Sequence, residues 1–422
     1  MNTKLEKLIP DLLSDDLDIE GKALDNFYML NDKGDFDVDD LIGLIEKAGS
    51  PFPSTEDPFD DPSMKLLVFA ANIAQELGAD ANPSVNSLQL VMPSLTTQAK
   101  EAALLVLTQI PTQESVLVYT SLISEHAEAF QYSDLPGYAP EDIEGRSIGD
   151  KIFPGIFSLV SAPAQRYLLY KMMLDFLAEE KLKSDVLASY EGEFLANLNE
   201  ELGVIREHQG DPELRAWRYR SPYIGHRDNV ALMLDVVGWW ATDALLEAIE
   251  ALDDLHDPWL RLMRAVSFIR AGRSVPSGEL EWIARSPRER FWMERLLGEL
   301  GEYHKLPKIC HDPKMLAEGE MMEWLCFPTE LGREPDEIEL VHIETRNIKH
   351  GRAKPKPTDY YFFRFCMTDK HRGKEKGWML GMAGGYERQH SGAVVYTGDT
   401  FSHFNKWEEL TLEEHINSFF ED

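Results

Sequence analysis

The sequence predicts a mainly α-helical protein: an α-solenoid of stacked helical hairpins followed by a small α+β domain with an antiparallel sheet and a C-terminal helix. Three observations predict it. Apolar residues recur at helical spacing in segment after segment from residue 64 to about 305. Beyond residue 330 the pattern changes to short aromatic and β-branched runs of strand character. At the end, Thr411 and Glu414 stand in capping-box spacing ahead of Ile416, Phe419 and Phe420.

Taken in order, residues 1–63 are acidic N-terminal helices and a linker. VDDLIGLIEKAG is the clearest helix, with Gly49 as its stop signal, and SPFPSTEDPFDDPS reads as an extended arm. The cluster NDKGDFDVDD has no register that supplies alternating oxygen ligands, a central glycine and a closing glutamate together, so solvated charge at a helix start explains it better than calcium.

Residues 64–305 form the helical-hairpin array. Leu66, Phe69, Ala70, Ile73 and Leu77 make one stripe, and Ala99, Ala102, Ala103, Val106 and Ile110 the next. Leu169, Met172, Met173, Phe176 and Leu177 continue the pattern, then Leu195, Leu198, Leu202 and Ile205. Val230, Met233, Leu234 and Val237 follow, and Trp259, Leu262, Met263, Val266 and Ile269 close it. Successive helices with short breaks such as HDP and RSVPSG resemble the HEAT and armadillo type of array; a non-repetitive helical domain is the alternative.

Residues 306–422 form the small α+β domain. IELVHIETR, DYYFFRFCM, GWMLGMA and AVVYTG read as strands. Tyr361, Phe363, Phe365 and Met367 alternate with Phe362, Arg364 and Cys366, so at least one face needs a protein cover, which the final helix supplies. YYFFRF, GWMLGMAGGY and DTFSHFNKWEELTLEEHI resemble a family of uncharacterised bacterial HEAT-repeat-containing proteins. In that family a tryptophan often stands between the two strands, where this sequence reads TDKHRG. The resemblance implies the architecture and brings no reaction with it.

Composition bounds function. The formal charge of −32 repels nucleic-acid phosphate and anionic lipid and attracts basic protein surfaces, although acidity that only maintains solubility would look the same. Three cysteines, no signal-peptide core and no apolar run of spanning length point to the cytoplasm, with no direct nucleic-acid and no membrane contact. The glycines of GWMLGMAGGY fit neither a dinucleotide nor a P-loop fingerprint and read as a close approach and a turn at a strand's end. His304, Cys310, His311 and Cys326 lack zinc-ligand spacing, and no nucleophile elbow is present.

The expectation is therefore a non-catalytic protein-interaction module presenting an acidic helical-repeat surface to a protein partner, a basic one by charge. It needs no cofactor, metal or catalytic residue, and its oligomeric state is left open. Candidate partner-binding residues are Asp35, Asp37, Asp39 and Asp40 in the acidic cluster, and Trp378, Tyr386 and Trp407 in the C-terminal segment. An immunity protein neutralising a basic toxin, and a cryptic hydrolase or transferase, are the alternatives. The basic run 346–357 reads as a solvated hairpin loop, or as a contact for an anionic partner or for the acidic arm near residues 35–61.

Overall fold

The structure, a computed structural model, describes residues 3–14, 16–53, 60–126, 136–137, 148–157, 163–212, 214–348, 356–369, 374–375, 377–388, 394–396 and 400–420. Much of the arm at 54–59 and of the basic run at 349–355 lies outside them. The protein is mainly helical, with an antiparallel sheet toward the C-terminus, and divides into two compact units, Met1–Asn197 and Leu198–Asp422.

The first unit holds α1 (Thr3–Leu12), α2 (Leu17–Asn31), α3 (Val38–Ala48), α4 (Pro62–Leu77), α5 (Val85–Val91), α6 (Thr97–Thr108), α7 (Gln113–Glu125), α8 (Ile148–Ile156), α9 (Pro163–Ala178) and the start of α10 (Glu191–His208). Local chemistry sets the starts and stops. Asp16 caps α2 through the amides of Asp18 and Ile19, and Asp37 and Asp40 form a reciprocal capping box on α3, which stops at Gly49. Asp61 caps α4, Pro62 follows at its first position, and Gly78 ends it at φ +54°. α4 lies between α3 and α6, burying Leu66, Ala70, Ile73 and Ala74, while α6 buries Ala99, Ala103 and Val106. Short alanine side chains permit that approach.

The second unit continues α10 and adds α11 (Tyr223–Trp240), α12 (Asp243–Glu250), α13 (Pro258–Arg270), α14 (Glu279–Ile283), α15 (Pro287–Glu299) and α16 (Pro313–Leu325). Then come β1 (Glu337–Ile348), β2 (Lys356–Cys366), β3 (Thr368–Asp369), β4 (Lys374–Glu375), β5 (Met379–Arg388), β6 (Val394–Tyr396), β7 (Phe401–Lys406) and α17 (Leu412–Ser418). Two glycines allow the closest helix contacts. A Cβ on Gly238 of α11 would stand 2.9 Å from Ser267 Cα of α13, and one on Gly319 of α16 would stand 2.7 Å from the Pro287 carbonyl and 3.0 Å from Phe291 Cβ of α15. Because backbone blocks the second position, Gly319→Ala is expected to destabilise this unit by about 1–3 kcal/mol, read by thermal unfolding.

The main sheet runs β1-β2-β5, with β6 and β7 both pairing the far side of β5; β3 and β4 form a separate short pair. All its pairings are antiparallel, which lets the strands follow one another through short connections. Both faces are covered. On one, Tyr361, Phe363, Phe365, Met379, Ala383 and Tyr386 pack on Ala317, Met321 and Leu325 of α16. On the other, Tyr360, Phe362, Leu380 and Met382 pack on Ile416, Phe419 and Phe420 at α17. The final helix takes the covering role its apolar residues suggest, and the Thr411–Glu414 capping box starts it. The cover from α16 is a second one, which explains why β2 is apolar on both sides.

Of the glycines of GWMLGMAGGY, Gly381, Gly384 and Gly385 sit inside β5 and do not mark its end, while Gly377 precedes the strand. Gly381 faces the terminal methyl of Met321, where a Cβ would overlap it, as a close-approach role requires. Gly384 and Gly385 fall where the β2–β5 register shifts, so they form an irregularity within the strand, and pairing resumes at Tyr386.

Candidate functional site

The candidate residues fall at three places. In the first unit, Asp37 and Asp40 are committed to the α3 cap, and Asp40 is buried. Asp35 pairs with Lys4 at 3.1 Å, and Asp39 is exposed in the first turn of α3. On the α17 side of the sheet, Trp378 and Trp407 are brought together: the Trp407 amide donates to the Trp378 carbonyl at 2.6 Å. The Arg364 guanidinium lies 4.5 Å from the Trp378 ring centre and 5.9 Å from that of Trp407, while its Nε donates to Glu339 at 2.8 Å. His415 stacks on Trp407. Tyr386 is on the opposite face, buried in the α16 core against Tyr361. These three aromatics therefore do not share a surface.

The acidic charge is unevenly spread. Residues 1–197 carry 34 of the 74 Asp and Glu but only 13 of the 42 Lys and Arg. Along α2, Leu17, Leu24 and Tyr28 recur at helical spacing, with Leu17 81% and Tyr28 44% exposed. Exposed Asp18, Asp25 and Asp32 run beside them. The opposite side of α2 buries Ala23 and Phe27, with Phe27 against Phe36 and Phe69. The outward strip thus joins apolar side chains to carboxylates on a helix already anchored from behind.

No residue spacing signals a further charged cluster, which is buried in the second unit. Asp257 caps α13 through the Trp259 amide at 2.9 Å and also accepts from Arg227 Nε at 2.7 Å and the Tyr223 hydroxyl at 2.8 Å. Arg227 Nη2 lies 3.7 Å from Glu289 Oε1, an ion-pair distance too long for a hydrogen bond. Arg218 Nη1 meets Glu334 Oε2 at 3.2 Å, and Arg288 Nε meets Glu323 at 2.7 Å. Arg218, Arg227, Asp257, Glu289 and Glu334 are all buried. Its members come from the segment before α11, from α11, from the start of α13, from α15, from α16, and from the approach to β1.

Environment sets their protonation. Burial pushes the Asp257 carboxyl up, but the facing Arg227 and Arg218 guanidiniums and the Tyr223 hydroxyl outweigh it and hold it below the usual carboxylate range. Glu334 goes the other way: burial and the charge of Glu289 raise it more than Arg218 lowers it. Burial also raises the Tyr219 and Tyr223 hydroxyls. The Cys326 thiol, 3.5 Å from the Tyr219 hydroxyl, is pushed up to about 12, and Cys310 to about 11, both by burial first. Cys310 lies in the α13–α15 core, apart from Cys326, and the exposed His304 pairs with Glu302. Among the described residues no group of His, Cys, Asp and Glu is placed to hold a metal ion. None of their helices is long and apolar enough to cross a membrane.

No family model, curated protein or solved structure matches this chain. The guanidiniums, carboxylates and hydroxyls of the buried cluster are turned on one another and tie helices separated in sequence, the arrangement of a structural ionic core. The α2 strip and the Trp378–Arg364–Trp407 group are the candidates that meet solvent.

Proposed function

We propose that the protein is a non-catalytic interaction module whose first unit presents an acidic, partly apolar helical surface to a basic protein partner. One observation carries the reading: α2 and its C-cap combine exposed Leu17 and Tyr28 with Asp18, Asp25 and Asp32, in the half of the chain where acids outnumber Lys and Arg by 34 to 13. Apolar contacts supply affinity there, while the surrounding charge selects cationic partners and speeds encounter. The helical-hairpin array of HEAT or armadillo type belongs to the same proposal, since stacked hairpins leave extended surface for a ligand. An immunity role toward a basic toxin is the narrower form of it.

The test is affinity capture with the wild type and with Asp18→Lys/Asp25→Lys/Asp32→Lys, followed by titration of the captured protein. A stoichiometric basic partner is expected, bound at least about tenfold more weakly by the variant and at high salt. Failure to capture a stoichiometric protein, or binding indifferent to the three reversals, would remove the proposal.

A further inference from the structure

β1 is a twelve-residue strand that pairs with β2 on one side, and among the described residues no strand pairs its other side. Unpaired edges of that length template further pairing unless charge, proline or brevity blunts them. β1 contains no proline, and Leu340 and Ile343 are each 37% exposed on its α16 side. Its order of residues is also matched to its own reverse. The register with β2 sets Leu340 opposite Phe363 and His342 opposite Phe362, so Val341 and His342 share one position as a bulge. Counted that way, Ile343 is the midpoint of the strand.

We propose that this edge pairs antiparallel with the β1 edge of a second copy of the chain, across a two-fold axis through Ile343, joining the two sheets into one. In that register Glu339 of each copy stands opposite Arg346 of the other. Leu340 stands opposite Thr345, Ile338 opposite Asn347, and the Val341–His342 bulge opposite Glu344. Paired residues lie on the same face throughout, as strand geometry demands, and no two like charges face each other. Glu339 lies on the α17 face beside Arg364, and Arg346 on the same face over the Phe420 ring, so both charges are held where a partner strand meets them. The repulsion expected of so acidic a chain is weak here. Residues 337–422 hold 12 Lys and Arg against 14 Asp and Glu, while most of the excess acid lies in residues 1–197.

The mass of the whole protein at about 50 μM tests this by sedimentation equilibrium. The wild type is expected at twice the 48.1 kDa of one chain. Ile343→Lys places two ammonium groups on the axis, and Glu339→Arg or Arg346→Glu sets like charges opposite each other. Each is expected to weaken self-association by about tenfold or more, with an unchanged circular-dichroism spectrum. Mixing the Glu339→Arg and Arg346→Glu proteins restores opposite charges at both contacts, so a dimer containing one of each is expected to reform. A wild type that stays at 48.1 kDa, an Ile343→Lys protein that self-associates as tightly as the wild type, or variants that do not recombine would each overturn the proposal.

Discussion

Replacing Asp257 with alanine is expected to lower the unfolding free energy of the second unit by about 3–5 kcal/mol, the cost typical of removing one partner from a buried ion pair. Two losses combine. Arg227 keeps its burial but loses its 2.7 Å contact, and α13 loses the carboxylate that accepts from the Trp259 amide. All nine tryptophans lie between Trp217 and Trp407, so tryptophan fluorescence during urea unfolding follows this unit and not the first. A midpoint within error of the wild type would show that the cluster is dispensable for stability.

The same cluster fixes two opposite pH slopes. Asp257 is depressed in the folded state, so its contribution is present above the ordinary carboxylate value of 3.8 and is lost as pH falls below it. Glu334 is raised, so its contribution is full below 4.5 and is lost as pH rises through its folded value. Asp257→Asn should flatten the acid limb of the stability profile, and Glu334→Gln the limb above pH 4.5.

Phe362→Ala is expected to cost about 3–5 kcal/mol, the range for truncating a fully buried aromatic. Phe362 sits in the central strand β2 with no exposed surface and meets Phe419, Phe420 and His342. Its removal leaves α17 without the ring that its two phenylalanines grip. Limited proteolysis is therefore expected to release the C-terminal segment from the variant faster than from the wild type, before the α16 side opens.

Much of the secondary structure was legible because periodicity reports burial directly. Leu66, Ala70 and Ile73, Ala99, Ala103 and Val106, and Val230, Met233 and Val237 are buried as their spacing implies. In α10 the buried face begins at Phe194, with Leu195 only half-buried, since side chains one residue apart point about 100° around a helix. α16 is hard to read because its segment is punctuated by charge, although Asp312 and Pro313 at its start and Ala317, Met321 and Leu325 at four-residue intervals signal it.

The ionic core was not legible at all. Arg218 and Glu334 are 116 residues apart, and each alone looks like an ordinary surface charge. Only the packing of helices that spacing cannot orient brings such residues together. Conversely, Asp37 and Asp40 read in the sequence as part of a carboxylate cluster, and their first duty is to begin a helix.

The placement of the thiols has a practical chemical meaning. Cys310, Cys326 and Cys366 all belong to the second unit, and residues 1–197 contain no cysteine. With Cys310 near 11, only roughly one sulfur in a thousand is in the nucleophilic form at pH 8, and Cys326 is quieter still. Alkylating agents and peroxide thus find little to attack while the fold is closed. Slow modification in a resting sample would time the rare excursions in which the C-terminal half lets reagent in, with the N-terminal half silent.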